Sequence, residues 1–290
     1  MPVQKSHIAE AGVYFLTFTN TDNLQMAKAS SILRLEGTIG EITFYQRNGK
    51  WFARAKSSLT GEKVKSSERF KRSLENVTEF GAVSSIARQV WQTLPKNWKH
   101  FRDSYAFTRY KSILYQILTL SPGDRGKRQF QPALRSGIWK GFQFNNKKFF
   151  TSACRSDLPL SWSAATGRMA LSLPATAEDL FLSPPDGATH ARLTFAGLVL
   201  PPFAFDPAVK KWASVPEWQN TYFSHTGTDV PLQTGTAIPS QLVLSFPAQT
   251  LMPQGYTIQA LLGISFYQEV QGALNLLPSK SAMMIANAWG

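Results

Sequence analysis

The clearest structural signal in the chain is the stretch ITFYQR (residues 42–47), NG (48–49) and KWFAR (50–54). Asn-Gly between two runs rich in β-branched and aromatic residues is typical of a two-residue hairpin turn, because both turn residues accept a positive φ. The sequence therefore predicts a β-hairpin in which Arg47 pairs with Lys50 beside the turn.

The register counted outward from this turn assigns a chemical character to each face of the hairpin. One face is apolar and can pack on a core; it carries Ile42, Phe44, Trp51 and Ala53. The other face is cationic at its tip and aromatic in its middle; it carries Thr43, Tyr45, Arg47, Lys50, Phe52 and Arg54. In the alternative interpretation, the two aromatic rings cover another part of the same core and the cations are simply solvated.

Two helices are predicted after the hairpin. Apolar residues recur at three- and four-residue steps from Phe70 to Leu94, which predicts an amphipathic helix interrupted only at Gly81 and ended by Pro95. A second helix is predicted over residues 97–120, and the two should form an antiparallel pair. Residues 56–67 are expected to form a basic connector, and residues 125–128 (RGKR) a basic loop.

Strands account for most of the remaining predictions. Before the hairpin, Val13 to Thr19 is a strand candidate and Ser31 to Leu35 a weaker one. From Ile138 onward, short strand-like runs alternate with Pro and Gly clusters, which is typical of an antiparallel sandwich. These runs are residues 139–144, 169–173, 191–195, 242–246, 257–266 and 274–277.

The expected fold class is α+β: an N-terminal β-ribbon with an antiparallel helix pair, then a C-terminal antiparallel β-sandwich. The predicted domains are residues 1–136, a basic ribbon and helical-hairpin domain, and residues 137–290, an immunoglobulin-like sandwich. This division follows the change in sequence pattern and in charge.

Charge is distributed very unevenly along the chain. Residues 1–150 contain 25 Lys and Arg against 10 Asp and Glu, a net charge of +15, whereas residues 151–290 contain 6 against 8, a net of −2. A half with such an excess of cations attracts polyanions such as nucleic acid, an anionic membrane surface or an acidic protein. Surplus charge that only aids solubility is the alternative.

The predicted nucleic-acid site combines basic side chains, which bind phosphates, with aromatic rings, which can stack on bases. A two-stranded ribbon also fits the DNA major groove. The prediction requires that the cations form a continuous surface. Its residues are Arg47, Lys50, Arg54, Tyr45, Phe52, Lys63, Lys65, Lys71, Arg72, Arg125, Lys127 and Arg128.

Signals for catalysis, metals and cofactors are lacking in the sequence. The four histidines (His7, His100, His190 and His225) are far apart, and none is at a metal-ligand spacing from another or from the single cysteine, Cys154. No phosphate-binding glycine loop or nucleophile elbow is present. Cys154 next to Arg155 has two interpretations, a reactive thiol or the commoner buried structural cysteine. We therefore expect a non-enzymatic protein without a metal or cofactor.

The expected location is the cytoplasm. A single cysteine rules out an intramolecular disulfide, so folding does not depend on an oxidising compartment. Residues 1–20 lack the continuous apolar stretch of a secretory signal, and no window approaches the roughly 20 apolar residues of a membrane span. Export would need a non-classical route.

Two stretches of the chain resemble a group of uncharacterised Bacteroidota proteins: residues 37–54, with Gly37-Thr38-Ile39-Gly40 and RNGK (47–50), and GISFYQEVQG (263–272). Those proteins combine a basic ribbon and helical region with a β-rich C-terminal part. The resemblance covers most of the chain and implies the two-part architecture, without implying an activity. The NGKW stretch (48–51) is also similar to arm-type DNA-binding domains of tyrosine recombinases, although no recombinase catalytic domain follows it.

Three functions remain open at this point. Nucleic-acid binding by the basic half is preferred. A self-assembling structural subunit of a filament, tube or shell is the alternative, because a positive half and a slightly negative half can attract head to tail and form homo-oligomers or polymers. An adaptor that docks an acidic protein through the basic half is the third.

Overall fold

A computed structural model describes residues 27–28 (backbone only), 35–56, 60–206, 208, 211–214, 223–248 and 254–290. The chain divides into two compact units, Met1–Phe70 and Lys71–Gly290. The strand predicted at Val13 to Thr19, and all of the one predicted at Ser31 to Leu35 except its last residue, lie outside the described residues.

The described part of the first unit is a small antiparallel sheet followed by a short helix. The strands are β1 (Ala27–Lys28), β2 (Gly37–Ile39), β3 (Ile42–Arg47) and β4 (Lys50–Ala55), in the order β1-β4-β3-β2. The connector contains a helical turn, α1 (Gly61–Ser66), where an irregular segment was expected; Thr60 caps it by accepting a hydrogen bond from the backbone N–H of Lys63 (3.3 Å).

The predicted hairpin and its register are confirmed. Asn48 and Gly49 form the turn with φ values of 52° and 73°, and Arg47 pairs with Lys50. Tyr45 lies opposite Phe52, as counted from the sequence. The local turn chemistry was sufficient for this prediction because it fixes the pairing without help from distant residues.

The apolar face of the ribbon is less covered than expected. The register places Ile42, Phe44, Trp51 and Ala53 on one face. However, no side chain described in the first unit is buried, and Ile42 is 37% exposed. Within the described residues, this face therefore packs only partly.

The helices of the second unit are α2 (Lys71–Thr93) and α3 (Ala106–Leu120), with a 3-10 segment, Lys96–Phe101, between them. Three predictions need correction. Gly81 does not interrupt α2. The core-facing side of α2 is rotated from the one expected, so that Val77 and Phe80 are 68% and 53% exposed. The second helix begins only at Ala106, because the Asp103 carboxylate accepts the N–H of Tyr105 (2.8 Å) just before it.

The strands of the second unit form a five-stranded sheet, a three-stranded sheet and a two-stranded ribbon, all antiparallel. The five-stranded sheet has the order β11-β8-β13-β14-β5 and the three-stranded sheet the order β12-β7-β6. Their bounds are β5 (Phe142–Gln143), β6 (Leu160–Ser163), β7 (Arg168–Ser172), β8 (His190–Leu200), β11 (Phe223–Pro231), β12 (Gln241–Ser245), β13 (Thr257–Val270) and β14 (Ala273–Trp289). The ribbon pairs β9 (Phe203–Asp206) with β10 (Lys211–Ser214), and one short helix, α4 (Ala177–Leu180), lies between β7 and β8.

The second unit is built in three layers around two hydrophobic cores. One core lies between the three-stranded and five-stranded sheets and includes Leu171, Phe195 and Ile264. The other lies between the five-stranded sheet and the helices and includes Ile86 and Leu114. The alternation of side chains along the central strands supplies both cores, which explains why β8 and β13 are apolar almost throughout.

The compact units do not coincide with the division drawn from sequence pattern and charge. The helices share a core with strands of the sandwich, and the units divide after Phe70 rather than after residue 136. Charge reports on the surface of a protein, whereas the compact unit is decided by the shared apolar core. The helical layer also covers the face of the larger sheet that an immunoglobulin-like sandwich leaves to solvent.

The remaining differences are elements that were missed or whose bounds differ, such as β14, which was predicted only at residues 274–277. The strand predicted at residues 139–144 is reduced to β5, because Trp139 ends a 3-10 segment, Pro132–Trp139, and is fully buried under the helical layer. The sequence reasoning also missed β6, β9, β10 and β11. None of the helices in the described ranges is long and apolar enough to cross a membrane.

Candidate nucleic-acid interface

The six residues predicted to share one side of the hairpin do so, and we call this side the ribbon face: Thr43, Tyr45, Arg47, Lys50, Phe52 and Arg54. The rings of Tyr45 and Phe52 are stacked, with their centroids 5.7 Å apart and an interplanar angle of 22°. The guanidinium of Arg54 lies over the Tyr45 ring, 5.5 Å from its centroid. Alternating side-chain direction brings these residues together, since they are cross-strand or diagonal neighbours on one side of the sheet.

The ribbon face carries three cationic side chains. In the described part of the chain, no acidic side chain forms an ion pair with Arg47, Lys50 or Arg54. All three cations are exposed, while Tyr45 and Phe52 are half-buried. Exposed cations beside partly exposed rings can contact phosphates and bases at the same time.

The lysines predicted in the connector belong to the same unit. Lys63 and Lys65 lie in the last turn of α1, and both are exposed. A helix C-terminus favours cations, so their placement there also has a purely structural explanation.

Three of the other predicted cations are held by acids of α2. Arg72 and Arg125 both approach the Glu75 carboxylate, at 3.1 Å and 3.8 Å. Arg128 lies 3.2 Å from the carboxylate of Glu79, which is itself completely buried. The contacts of Arg125 and Arg128 hold the 125–128 loop against α2, so these two act first as structural cations. Arg72 pairs within α2 itself and stays exposed.

The predicted residues are therefore not one continuous surface within either unit. The ribbon face residues, Lys63 and Lys65 belong to the first unit, whereas Lys71, Arg72 and the 125–128 loop belong to the second. In that loop Arg125 and Lys127 are exposed, and within the described residues Lys127 forms no ion pair. Among the predicted site residues that the structure describes, it is the ribbon face that combines exposed cations with aromatic rings.

Two observations bear on the cysteine and on metal binding. Burial raises the pKa of the Cys154 thiol to about 11, which matches a structural cysteine and not a reactive thiolate. No group of three His, Cys, Asp or Glu side chains that could hold a metal occurs among the described residues.

Sequence reasoning missed one contact between a histidine and a serine. The His100 ring places Nε2 2.9 Å from the Ser265 hydroxyl and Nδ1 2.8 Å from the Asn97 carbonyl oxygen. Ser265 is only 1% exposed, so its hydroxyl is shielded from a substrate. The pair therefore ties the 3-10 segment to β13. Its members are 165 positions apart in the sequence, so no local pattern could have revealed it.

Comparisons with family models, with curated proteins and with solved structures found no significant match to this chain.

Proposed function

We propose that this chain is a non-enzymatic nucleic-acid-binding protein that contacts its ligand through the ribbon face. The observation that carries the proposal is the combination, on one face, of three exposed cations that have no acidic partner among the described residues and a stacked pair of aromatic rings. An anionic polymer with planar rings satisfies both parts of that face, whereas an acidic protein or a membrane satisfies mainly the charges.

Each part of the ribbon face has a distinct role. Arg47 and Lys50 flank the turn and reach furthest, so they neutralise phosphates and position the strand. Arg54 is held over Tyr45, and an arginine braced in this way presents its planar donors for bidentate contact with a phosphate or a base edge. The aromatic pair gives the ribbon a firm apolar centre.

The test is a titration of labelled DNA and RNA with the full chain at several salt concentrations. The affinity of the wild-type protein should fall steeply as salt rises, because each neutralised phosphate contributes a slope of about −0.9 to log K against log salt on duplex DNA. The variant Arg47→Glu/Lys50→Glu/Arg54→Glu should bind far more weakly and with a flatter slope.

The matched control is Arg155→Glu/Arg168→Glu/Lys280→Glu, which makes the same change in net charge on the second unit. All three of these cations are exposed. If both triple variants lose affinity equally, general electrostatic attraction and not the ribbon face is responsible. Tight binding that ignores ionic strength would rule the proposal out. Sedimentation of the protein without nucleic acid distinguishes the nucleic-acid-binding proposal from the self-assembly alternative, because self-assembly requires polymers of the protein alone.

A further inference from the structure

A shallow groove of about 410 Å³ lies in the second unit, between α3 and the segment around β5. Its α3 wall includes Ile113 and Gln116, and its opposite wall includes Phe142, Asn146 and Phe149. No acidic side chain lines it. A small-molecule site is usually enclosed and mostly apolar, so an open groove of mixed character is better suited to part of a larger ligand.

Hydrogen bonds hold the two walls in place. The Asp103 carboxylate accepts one hydrogen bond from the guanidinium of Arg109 on α3 (2.9 Å). It accepts another from the backbone N–H of Asn146 on the opposite wall (2.9 Å). Arg109 also donates to the Gln143 carbonyl oxygen (3.1 Å). Burial opposes ionisation of Asp103, but its hydrogen bonds to Arg109, Asn146 and Tyr105 together lower its pKa, so the carboxylate stays charged. The groove is thus preformed, which reduces the entropy lost on binding.

Two kinds of unused binding group face this groove. In the described ranges, the side-chain amides of Gln116 and Asn146 form no hydrogen bond with protein atoms, and both residues are exposed. Phe149 is 49% exposed, although it is a large aromatic residue. Amides that can donate and accept, next to an exposed ring, suit a planar group that carries its own donors and acceptors.

Charge favours an occupant that carries phosphates over a neutral peptide. Lys140 and Lys147 are exposed and are next in sequence to Gly141 and Asn146, which line the groove. Arg109 is itself a lining residue. Residues 71–150 contain 15 Lys and Arg against 4 Asp and Glu. We propose that this groove binds an unpaired nucleotide, with the base against Phe149 and the amides and the backbone near the lysines. The inference rests on the proposed function and adds that the ligand contains a single-stranded stretch.

The experiment compares the full chain on a blunt DNA duplex and on the same duplex with a single-stranded overhang of about ten nucleotides, within the site sizes of single-strand binders. Wild-type protein should bind the overhang substrate about tenfold more tightly, the effect of stacking one base on a ring. Phe149→Ala should lose this preference and keep its affinity for the blunt duplex. Gln116→Ala is a second groove variant with no ring removed and should reduce the preference.

Leu120→Ala is the matched control, because Leu120 is also an exposed apolar residue (56%) of the helical layer but lies outside the groove lining. It should keep the preference. A wild-type protein without preference, or a Phe149→Ala variant that retains it, overturns the groove inference. The proposed function survives that result if the ribbon-face variant still weakens duplex binding. Absence of binding to both substrates overturns both proposals.

Discussion

Arg54 lies over the ring of Tyr45, with its guanidinium carbon 5.5 Å from the ring centroid, and Phe52 stacks on the same ring. A guanidinium held against an aromatic ring has fewer orientations to lose when it meets a phosphate or a base. Under the proposed function, the aromatic pair contributes to nucleic-acid binding by holding Arg54, even where the rings do not touch the ligand.

Removing the Tyr45 ring tests the support that it gives to Arg54 without changing the charge of the ribbon face. We expect Tyr45→Ala to weaken nucleic-acid binding about two- to fivefold, the size of an exposed cation–π contact, while the salt slope stays unchanged because every cation remains. Tyr45→Phe keeps the ring and should bind like the wild type. Salt-dependent titrations check both variants; a flatter slope for Tyr45→Ala would contradict the bracing role.

The turn at Asn48 and Gly49 should control the order of the whole ribbon. Gly49 has a φ of 73° and open space around it, so a side chain there is opposed by backbone strain and not by a clash. Gly49→Val should destabilise the hairpin by about 1–2 kcal/mol. Faster amide hydrogen exchange in β3 and β4 is the measurement. Gly61→Ala is the control, since Gly61 also lies in open space but in a helix, where alanine is favoured.

The hairpin and its register were predictable because they depend on adjacent residues only. The core-facing side of α2 was not, since Val77 and Phe80 fit the helical period as well as Val83 and Ile86 do, and only the packed sheet distinguishes them. The sequence also does not indicate that Glu79, a charged residue, lies on the buried side of α2.

The candidate site shows the same contrast. Register alone brings the ribbon face together, so its six residues could be named from the sequence. The ion pairs of Arg125 and Arg128 join residues about 50 positions apart, and the groove joins α3 to the residues that follow the 3-10 segment Pro132–Trp139. Such contacts depend on tertiary structure. Nucleic-acid binding itself stays a prediction.

Glu79 should be a strong determinant of stability. Its buried carboxylate accepts the N–H of Gly126 (2.9 Å) and pairs with Arg128 (3.2 Å). Glu79→Ala leaves the buried Gly126 N–H without an acceptor and should lower the free energy of unfolding by about 2 kcal/mol. Glu79→Gln keeps an acceptor and should recover part of that loss. Urea unfolding measures both; equal stability of the two variants would show that the N–H of Gly126 finds another acceptor.

Acid should weaken the contact between the 3-10 segment Lys96–Phe101 and β13. Burial lowers the pKa of His100; the hydrogen bond to the Asn97 carbonyl partly offsets this, and the cations of Lys148 and Arg192 add to it. The folded protein therefore favours the neutral imidazole of His100. In that form Nδ1 carries the proton and donates to the Asn97 carbonyl oxygen, while Nε2 accepts a hydrogen bond from the Ser265 hydroxyl.

The contribution of His100 to the free energy of unfolding should consequently be fully present above the ordinary histidine pKa of about 6.5. It should decrease as the pH falls below that value. Asp229, whose pKa is lowered by its hydrogen bonds from Arg192, stays ionised in the folded protein until far more acidic pH, so it does not produce this early loss. His100→Gln should flatten the dependence of the melting temperature on pH between about 7 and 5. Ser265→Ala should be less stable at every pH but keep the slope, because the titrating ring is still present. Identical slopes for wild type and His100→Gln would mean that another group senses the acid.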